Sequence, residues 1–201
     1  MTMQQLLKQI IKDSIAPIFK AKGFKKRGNN FAKDCGEFSL TVNIQSSRWN
    51  TAEEVEFTVN TGIFTDKLFG TFYDFAPPQF PTEVNSVLRQ RITELKNMPD
   101  HWYKFNSESS IEELKKQIKA DIETVIFPYF ERFNSIDDVI KEMEKNEEQG
   151  IKETPHFLTI LYNAYGHSDK AKKRIKESYI RAEYDSQKEY TKELAERLGI
   201  W

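Results

Sequence analysis

Uncharged polar side chains recur at every second position in two neighbouring segments of the chain, residues 38–45 and 55–60. The recurring set is Thr41, Asn43, Gln45, Thr58 and Asn60. Because alternate residues of a β-strand point to the same face, two paired strands would present these groups together. Amides and hydroxyls both donate and accept hydrogen bonds, which suits recognition of a ligand or of a peptide strand. The alternative is a face that other parts of the chain cover, with its polar groups satisfied internally. We predict Asn43, Gln45 and Asn60 as candidate binding residues.

Two arginines could add charge to such a site. A helix over residues 82–96 would place Arg91 near the middle of its apolar stripe, where a guanidinium needs a partner. A structural interpretation pairs Arg91 with a carboxylate such as Asp100 or Glu53. A functional interpretation combines Arg91 with Arg48, in the loop after the second strand, as an anion site for a carboxylate or a phosphate. Both interpretations stay open, and Arg48 and Arg91 are the predicted charged anchors.

The N-terminal region is basic. Up to Lys33 the chain carries eight basic residues and one acidic residue, Asp13, a local balance of 8 − 1 = +7. Such a run could contact a phosphate backbone, yet no helix-turn-helix, zinc-finger or ribonucleoprotein signature follows it. We therefore prefer a charged solvated face as the explanation of the run, and the acidic segment from Glu131 to Glu153 could balance it.

Catalytic chemistry finds little support in the sequence. His101, His156 and His167 are scattered, without the helical spacing of a metal-binding pair. The single cysteine, Cys35, lies in a predicted turn with no histidine near it in sequence, and it excludes an internal disulfide. Nucleophile elbows, phosphate-binding glycine loops and dinucleotide fingerprints are absent from the sequence. We therefore predict no catalytic residue, no metal site and no cofactor, and whether the chain is an enzyme stays open.

The elements that would position these residues follow from hydrophobic periodicity. Residues 31–64 alternate with period two and predict a three-stranded antiparallel meander with one buried face. A fourth short strand is predicted from His101 to Asn106. The predicted helices are Met3 to Lys22 with a kink at Pro17, Thr82 to Lys96, Ser110 to Phe133 with a bend near Pro128, Ser135 to Gly150, Thr154 to Tyr165, and Ser168 to Gly199.

This succession predicts an α+β fold. We expect a three- to four-stranded antiparallel meander packed by helices over residues 1–133, with a helical C-terminal extension, residues 134–201, packed on it. The chain has 201 residues, 38% of them apolar, and a net charge of −1, so it can bury a core and shows no global bias towards nucleic acid or membrane. Neither a signal peptide nor an apolar run of about 18 residues is present, which predicts a cytoplasmic protein.

Several of these segments, taken in order, are similar to one known family. The segments are GFKKRGNNF (23–31), VNIQSSRWN (42–50), FTVNTGIF (57–64), LRQRITEL (88–95) and DHWYKF (100–105). Together they resemble the bacterial domain-of-unknown-function family 4304 over roughly Met1 to Phe130. The resemblance implies one fold and a small cytoplasmic bacterial protein, and it implies no chemistry.

The sequence therefore predicts a non-catalytic binding or interaction protein of the bacterial cytoplasm. One version is an immunity-type protein that masks a toxin, with the acidic segment from Glu131 to Glu153 meeting a basic surface. A small-molecule or anion-binding protein, or an enzyme, with a site around Arg48, Arg91 and His101 is the alternative. Nucleic-acid binding through the basic N-terminal run is the third class.

Overall fold

The computed structural model describes residues 1–100, 102–151 and 154–201, and six antiparallel strands of this described part form one sheet. The strands are β1 (Lys25–Arg27), β2 (Asn30–Asp34), β3 (Ser39–Ser46), β4 (Glu54–Phe64), β5 (Leu88–Arg91) and β6 (Tyr103–Asn106). The predicted meander is confirmed as β2, β3 and β4, and the predicted fourth strand is β6. Position 101, where that prediction began, lies outside the described residues. The sheet is larger than predicted because β1 and β5 join it.

The longest strand, β4, carries two short partners on one edge. β6 pairs with its first part, Glu54–Phe57, and β5 with its later part, Asn60–Ile63. Its other edge pairs with β3 over eight positions. Thr58 and Val59 therefore lie between the ends of β5 and β6, and residues 92–102 connect these two strands.

Helices precede, interrupt and follow the strands along the chain. They are α1 (Met3–Ile10), α2 (Ala16–Ala21), α3 (Asp66–Tyr73), α4 (Ile92–Leu95), α5 (Ile111–Asp121), α6 (Phe127–Phe130), α7 (Ile136–Glu148), α8 (Phe157–Ala164), α9 (Ser168–Arg181) and α10 (Asp185–Leu198). The predicted α+β fold is thus confirmed.

Two of the predicted proline bends take the form of π-turns. Ile11–Ile15 joins α1 to α2, and Ile122–Ile126 joins α5 to α6. In each case the N–H one residue before the proline bonds five residues back, from Ala16 to Ile11 and from Phe127 to Ile122. A proline has no N–H and its ring crowds the preceding turn, so a widened turn lets the helix continue past it.

The core of the sheet lies on the face opposite the predicted polar residues. Val42, Ile44, Phe57 and Val59 from β3 and β4 are at most 1% exposed. The ring of Phe19, from α2, lies 4.8 Å from that of Phe31, and 5.7 Å from that of Phe127. Further fully buried side chains come from the first helix, namely Ile10, Ile11 and Ile15. The sheet therefore packs this apolar face against the helices, as a period-two pattern requires. The expectation of a single buried face is not met, because Thr41, Thr58 and Asn60 on the other face are buried as well.

The predicted helix over Thr82 to Lys96 is wrong. A single 3-10 turn, Glu83–Asn85, is followed by β5 and then by the short helix α4. Val87, Leu88 and Ile92 suit the apolar stripe of a helix. Residues 88–91 instead pair with the edge of β4, which satisfies the backbone groups of both segments. Tertiary pairing thus overrides local helix propensity here.

The C-terminal region contains two further corrections. The helix predicted from Thr154 and Pro155 begins only at Phe157, because His156 adopts a left-handed conformation with φ 68°. The long helix predicted from Ser168 to Gly199 is broken after Arg181, where Ala182 is extended, and resumes at Asp185. In one straight helix, Leu194 and Ala195 would lie on a different face from Ala171 and Ile175, and the two pairs could not be buried together. The break lets the second helix turn, so that all four side chains are buried.

The end of the chain is tied down. The helix ends at Gly199, as predicted, and this glycine adopts the left-handed conformation, while Ile200 is 2% exposed. The ring of Trp201 packs edge-on at 5.1 Å against that of Tyr179. These contacts hold the C-terminal residues against the helical unit, although half of the indole remains exposed.

The described residues divide into two units. The sheet unit comprises Met1–Thr65 and Pro78–Asn134, and the helical unit comprises Asp66–Pro77 and Ser135–Trp201. The helical unit includes α3, which the sequence did not predict and which lies between β4 and β5 in the chain. Our division into domains at residues 133 and 134 stays a prediction. In the described part of the chain, no helix combines the length and the apolar character that crossing a membrane requires.

Candidate functional site

The predicted polar face exists as a row of side chains that crosses five strands. The sheet register places Arg27 opposite Asn30, Asn30 opposite Asn43, Asn43 opposite Asn60, and Asn60 opposite Arg91. Neighbouring strands lie about 4.8 Å apart, so the row is roughly 19 Å long. The row contains three of the five predicted site residues, Asn43, Asn60 and Arg91, and a fourth, Gln45, bonds to Asn60 beside it. It also contains Asn30 and Arg27, which were not predicted.

The amides of this row bond to one another. Asn43 Nδ2 donates to Asn30 Oδ1 at 2.7 Å, and Asn60 Nδ2 donates to Gln45 Oε1 at 2.7 Å. Asn60 Oδ1 accepts from Arg91 Nε at 3.2 Å. Asn60 is 8% exposed, Asn43 is half-buried and Gln45 is exposed. Each amide has a partner, so the row is an internally bonded ladder whose accessible group lies at Gln45.

One end of the polar face is covered by the chain itself. Ser86, which follows the 3-10 turn, places its hydroxyl 2.9 Å from that of Thr41, and both residues are buried. Glu83, 5% exposed, accepts from Arg89 Nε at 2.6 Å. The alternative interpretation of the face, a covered surface with satisfied groups, therefore holds at this end. A candidate site must lie towards the opposite end.

The Arg91 guanidinium is held by partners within the sheet unit. Besides Asn60, its Nη1 donates to Asp100 Oδ1 at 2.8 Å, which is the first of the two ion pairs we considered. Its plane lies 5.3 Å from the ring centre of Trp102, whose Nε1 donates to Asp100 Oδ2 at 3.4 Å. Arg91 belongs to a strand and not to a helix, and it bridges the gap on the β4 edge between β5 and the residues before β6.

Arg48 lies at the tip of the β3–β4 hairpin. Its guanidinium stacks 4.7 Å from the ring centre of Trp49, and both residues are exposed, with the tryptophan 75% accessible. The tip lies beyond Ser46, which is already about 10 Å along the strand from Asn43. The structure thus gives Arg48 and Arg91 separate partners. Sequence reasoning missed Trp49, although a tryptophan in a predicted turn beside an arginine was a usable signal.

We call the exposed end of the polar face the hairpin end and define it as Gln45, Arg48 and Trp49. The strand positions beside it carry charges that are already paired, since Lys104 Nζ contacts Glu54 at 2.7 Å and Glu56 at 3.4 Å. These pairs raise the pKa of the Lys104 ammonium, chiefly through the hydrogen bond to Glu54. The hairpin end therefore presents an amide, a guanidinium and an indole beside a cluster in which one ammonium is shared by two carboxylates.

Other candidate groups do not join this surface. The predicted third member of the anion site, His101, lies outside the described residues. Cys35 is exposed in the β2–β3 turn, and partial burial of its sulfur raises the pKa of the thiol, which keeps it protonated. Among residues 1–100, 102–151 and 154–201, no cluster of three histidine, cysteine or acidic side chains could hold a metal ion.

The acidic segment finds partners on a neighbouring helix. Glu147 forms two hydrogen bonds with Arg174, at 2.6 and 2.7 Å, and Glu144 accepts from Lys170 at 2.8 Å. Asp137 lies 2.9 Å from His167. Burial acts to raise the pKa of Glu144, but the hydrogen bonds from Lys170 and Tyr162 outweigh it and lower that pKa. The hydrogen bond from Arg174 lowers the pKa of Glu147, against the effect of burial. The ion pairs of α7 are thus made within the helical unit, with α9 and the residue before it.

Comparison with known proteins gives a single result. A family model described as a domain of unknown function (DUF4304) matches residues 15–132. No match was found among curated proteins, and none among solved structures. The matched region covers 118 of 201 residues and contains all six described strands, together with the amide row. The chain therefore belongs to this domain-of-unknown-function family, DUF4304.

Proposed function

We propose that this chain is a non-catalytic binding protein of the bacterial cytoplasm that recognises another protein through the hairpin end. The observation that supports this most directly is the stack of Arg48 on Trp49, which leaves the tryptophan 75% exposed. Tryptophan and arginine are the residues most enriched among those that dominate binding energy at protein interfaces. Covering the indole removes on the order of 150 Å² from water, roughly 4 kcal/mol before the entropy of association.

The rigid sheet behind the hairpin supports the same proposal. β3 and β4 pair over eight positions, and Asn50 caps the hairpin by accepting from Glu56 N–H and donating to Glu56 carbonyl oxygen. The hairpin is therefore fixed before any partner arrives, so binding loses little conformational entropy. Gln45 adds an exposed amide that can both donate and accept towards a partner backbone.

An anion site on Arg91 receives less support. Its guanidinium already contacts Asn60, Asp100 and the ring of Trp102, so an incoming carboxylate or phosphate would have to displace Asp100. Exchange of the existing Arg91–Asp100 ion pair for an equivalent pair with a ligand yields little binding energy. We therefore assign Arg91 to the support of the sheet and Arg48 to recognition.

Masking of a toxin is one form of this function, and it requires a revised surface. Our sequence-based version used the acidic segment from Glu131 to Glu153 against a basic toxin. Within the described residues, Asp137, Glu144 and Glu147 already contact basic side chains of the same chain. These ion pairs reduce the negative electrostatic potential that the acidic segment presents to a partner. We therefore assign the contact with any toxin to the hairpin end.

The test is a tagged pull-down from host extract treated with nuclease, followed by titration of the purified partner. Wild-type protein should retain a stoichiometric partner by native mass spectrometry. The Q45A/R48A double variant should abolish binding without unfolding the protein, although loss of the hydrogen bond from Asn60 to Gln45 should lower its stability slightly. W49A should weaken binding by about tenfold or more without a change in thermal unfolding. Ile180→Ala, at another exposed apolar position, is the matched control and should bind as wild type.

Three results would reject the proposal. Equal affinity of W49A and wild type would show that the hairpin end is not the recognition surface. Absence of any protein partner after nuclease treatment, with a small-molecule mass retained instead, would favour ligand binding. Loss of all binding on nuclease treatment, with steep salt dependence, would favour the basic N-terminal run and nucleic acid.

A further inference from the structure

The helical unit contains a cleft of about 580 Å³ that is separate from the amide row. Residues of α9 and α10 form its two walls, and Pro155 and His156, just before α8, form its floor. The volume falls within the range of sites that bind small molecules. Phe72 and Tyr190 supply aromatic surface, and Ser178 supplies a hydroxyl group.

The cationic side chains of the cleft come from one face of α9. Arg174, Ser178 and Arg181 are spaced four and three residues apart, which aligns them along the helix. Glu147 holds Arg174 by two short hydrogen bonds. Arg181 is different, since its side chain is 80% exposed and its ion pair with Glu177 is 3.9 Å long. A guanidinium so weakly engaged can form a bidentate contact with an incoming anion.

His156 has two features that packing alone does not explain. Its backbone φ is 68°, a conformation that costs a non-glycine residue on the order of 1 kcal/mol. Its Nδ1 is buried and has no hydrogen-bond partner among the described residues, and its Nε2 makes only a long contact, 3.4 Å, with Thr191 Oγ1. Strain together with an unsatisfied polar atom is typical of a site whose missing partner is a ligand.

The protonation state of His156 fits this interpretation. Burial, and secondly the positive charge of Arg174, lower the pKa of the His156 imidazole below its ordinary value. The ring is therefore neutral near pH 7 and offers one donor and one acceptor. Its ring centre lies 5.6 Å from that of Tyr190, which extends the aromatic surface at the floor of the cleft.

We propose that this cleft binds a small organic anion, a carboxylate or a phosphate attached to a planar apolar group. Arg181 and Ser178 contact the anionic group, since a guanidinium fork and a hydroxyl match its oxygen atoms. The planar group lies against Tyr190 and Phe72, with the His156 ring beside Tyr190 at the floor of the cleft. None of the described side chains that line the cleft is acidic, and two neighbouring carboxylates, Glu147 and Glu177, already contact Arg174 and Arg181.

The test uses phenyl phosphate and benzoate as probes, with benzamidine as a cation of the same planar shape. Isothermal titration measures binding to the full chain, and ¹⁵N spectra of the imidazole locate it at His156. Wild type should bind at least one anion with a millimolar or lower dissociation constant and should not bind benzamidine. Comparison of phenyl phosphate with benzoate identifies which anionic group the cleft prefers.

Three variants assign the residues. R181A should weaken anion binding by about tenfold. H156G should weaken it as well while keeping the fold, because glycine adopts a φ of 68° without strain. Lys176→Ala is the matched control, since Lys176 is exposed on the same helix outside the cleft, and it should bind as wild type.

Specific results would overturn this proposal. One is the absence of binding by both anions at about 10 mM, where even a weak site would be occupied. Another is binding of benzamidine as tightly as the anions, which would show that the cleft does not select for negative charge. A third is undiminished binding by R181A with unchanged imidazole resonances, which would place the anion elsewhere on the surface.

Discussion

Gly62 is the residue of β4 that lets the chain cover its own polar face. A Cβ atom at this position would lie 2.5 Å from the hydroxyl oxygen of Ser86 and 2.7 Å from that of Thr41. Both neighbours are buried and bonded to each other, so neither can move without breaking that bond. The need for glycine here is a matter of close approach and not of backbone conformation.

Substitution Gly62→Ala should therefore destabilise the protein. The inserted methyl forces Ser86 away from the sheet, which should lower the free energy of unfolding by about 1 to 3 kcal/mol. Urea denaturation measures the change. Gly70→Ala is the matched control, because the nearest atom to its added methyl is 3.8 Å away and α3 gains a better helix former. Equal effects of the two substitutions would contradict the close-approach argument, and the double variant G62A/S86G should recover part of the loss.

Tyr103 gives a prediction about pH. Its hydroxyl donates to Asp121 Oδ2 at 2.6 Å, and Asp121 also pairs with Lys96 at 2.9 Å. Burial, and then the hydrogen bond to Asp121, raise the pKa of Tyr103 well above its ordinary value. An unfolded tyrosine ionises near about pH 10, so the unfolded state releases its proton first. The stabilisation is thus complete below about pH 10 and is lost as the pH rises towards the folded pKa.

The measurement is urea unfolding between about pH 8 and 11 for wild type and Y103F. Wild type should lose stability above about pH 10 more steeply than the variant. At neutral pH the variant should be less stable by about 1 kcal/mol, because a buried hydrogen bond is lost. If the stability of wild type and Y103F fell equally with rising pH, ionisation of Tyr103 would not be the cause of the pH dependence.

At the scale of elements, Arg91 explains how one long strand supports two short ones. β5 ends at Arg91 and β6 begins at Tyr103, and the Arg91 guanidinium contacts both β4, at Asn60, and the connection, at Asp100. We expect R91A to lower stability by about 1 to 2 kcal/mol, since a half-buried pair and a hydrogen bond to Asn60 are lost.

The effect should be local, so amide hydrogen exchange is the measurement. In R91A the amides of β5 and β6 should exchange faster than in wild type, while those of β2 and β3 keep their protection. R27A, at the exposed opposite end of the same amide row, should leave exchange unchanged. Faster exchange throughout the sheet would show a global loss of stability instead of a local bridge.

The same elements show what periodicity can and cannot predict. β2, β3 and β4 were predictable because alternation over about eight residues has one structural solution, and bends at Pro17 and Pro128 because proline cannot donate, although their π form was not predicted. β5 was not, because the four residues from Leu88 to Arg91 are too few to distinguish alternation from a helical stripe. The residues at the break after Arg181 include no proline or glycine. The only sign of the break in the sequence is that Leu194 does not continue the apolar stripe that contains Ile175.

The candidate site divides in the same way. Asn43, Gln45 and Asn60 were brought to one face because strand register follows from the hydrophobic pattern. The pairing of Arg91 with Asp100 was anticipated from the need of a shielded guanidinium for a partner. The cleft of the helical unit could not be predicted, because its residues come from α3, the start of α8, α9 and α10, and only tertiary packing assembles them.

For the molecule as a whole, α3 creates a dependence between distant parts of the sequence. It follows β4 directly, yet it packs within the helical unit, where the ring of Phe72 meets that of Phe157 edge-on at 4.8 Å. Leu68 and Phe69 of the same helix are at most 6% exposed. A chain that ends at Asn134 would retain α3 and lose α8, so these apolar side chains would face water.

We therefore expect the fragment 1–134 to aggregate, although it contains the whole sheet. Replacement of residues 66–77 in this fragment by a glycine–serine linker should give a soluble protein with a cooperative thermal transition, because the linker removes the uncovered helix and a flexible loop adds little closure entropy. Size-exclusion chromatography and circular dichroism distinguish the two fragments. If the linker fragment also fails to fold, the sheet unit requires the helical unit for its stability. If the plain fragment is monomeric and folded, α3 does not depend on α8, and the helical unit begins at Ser135 alone.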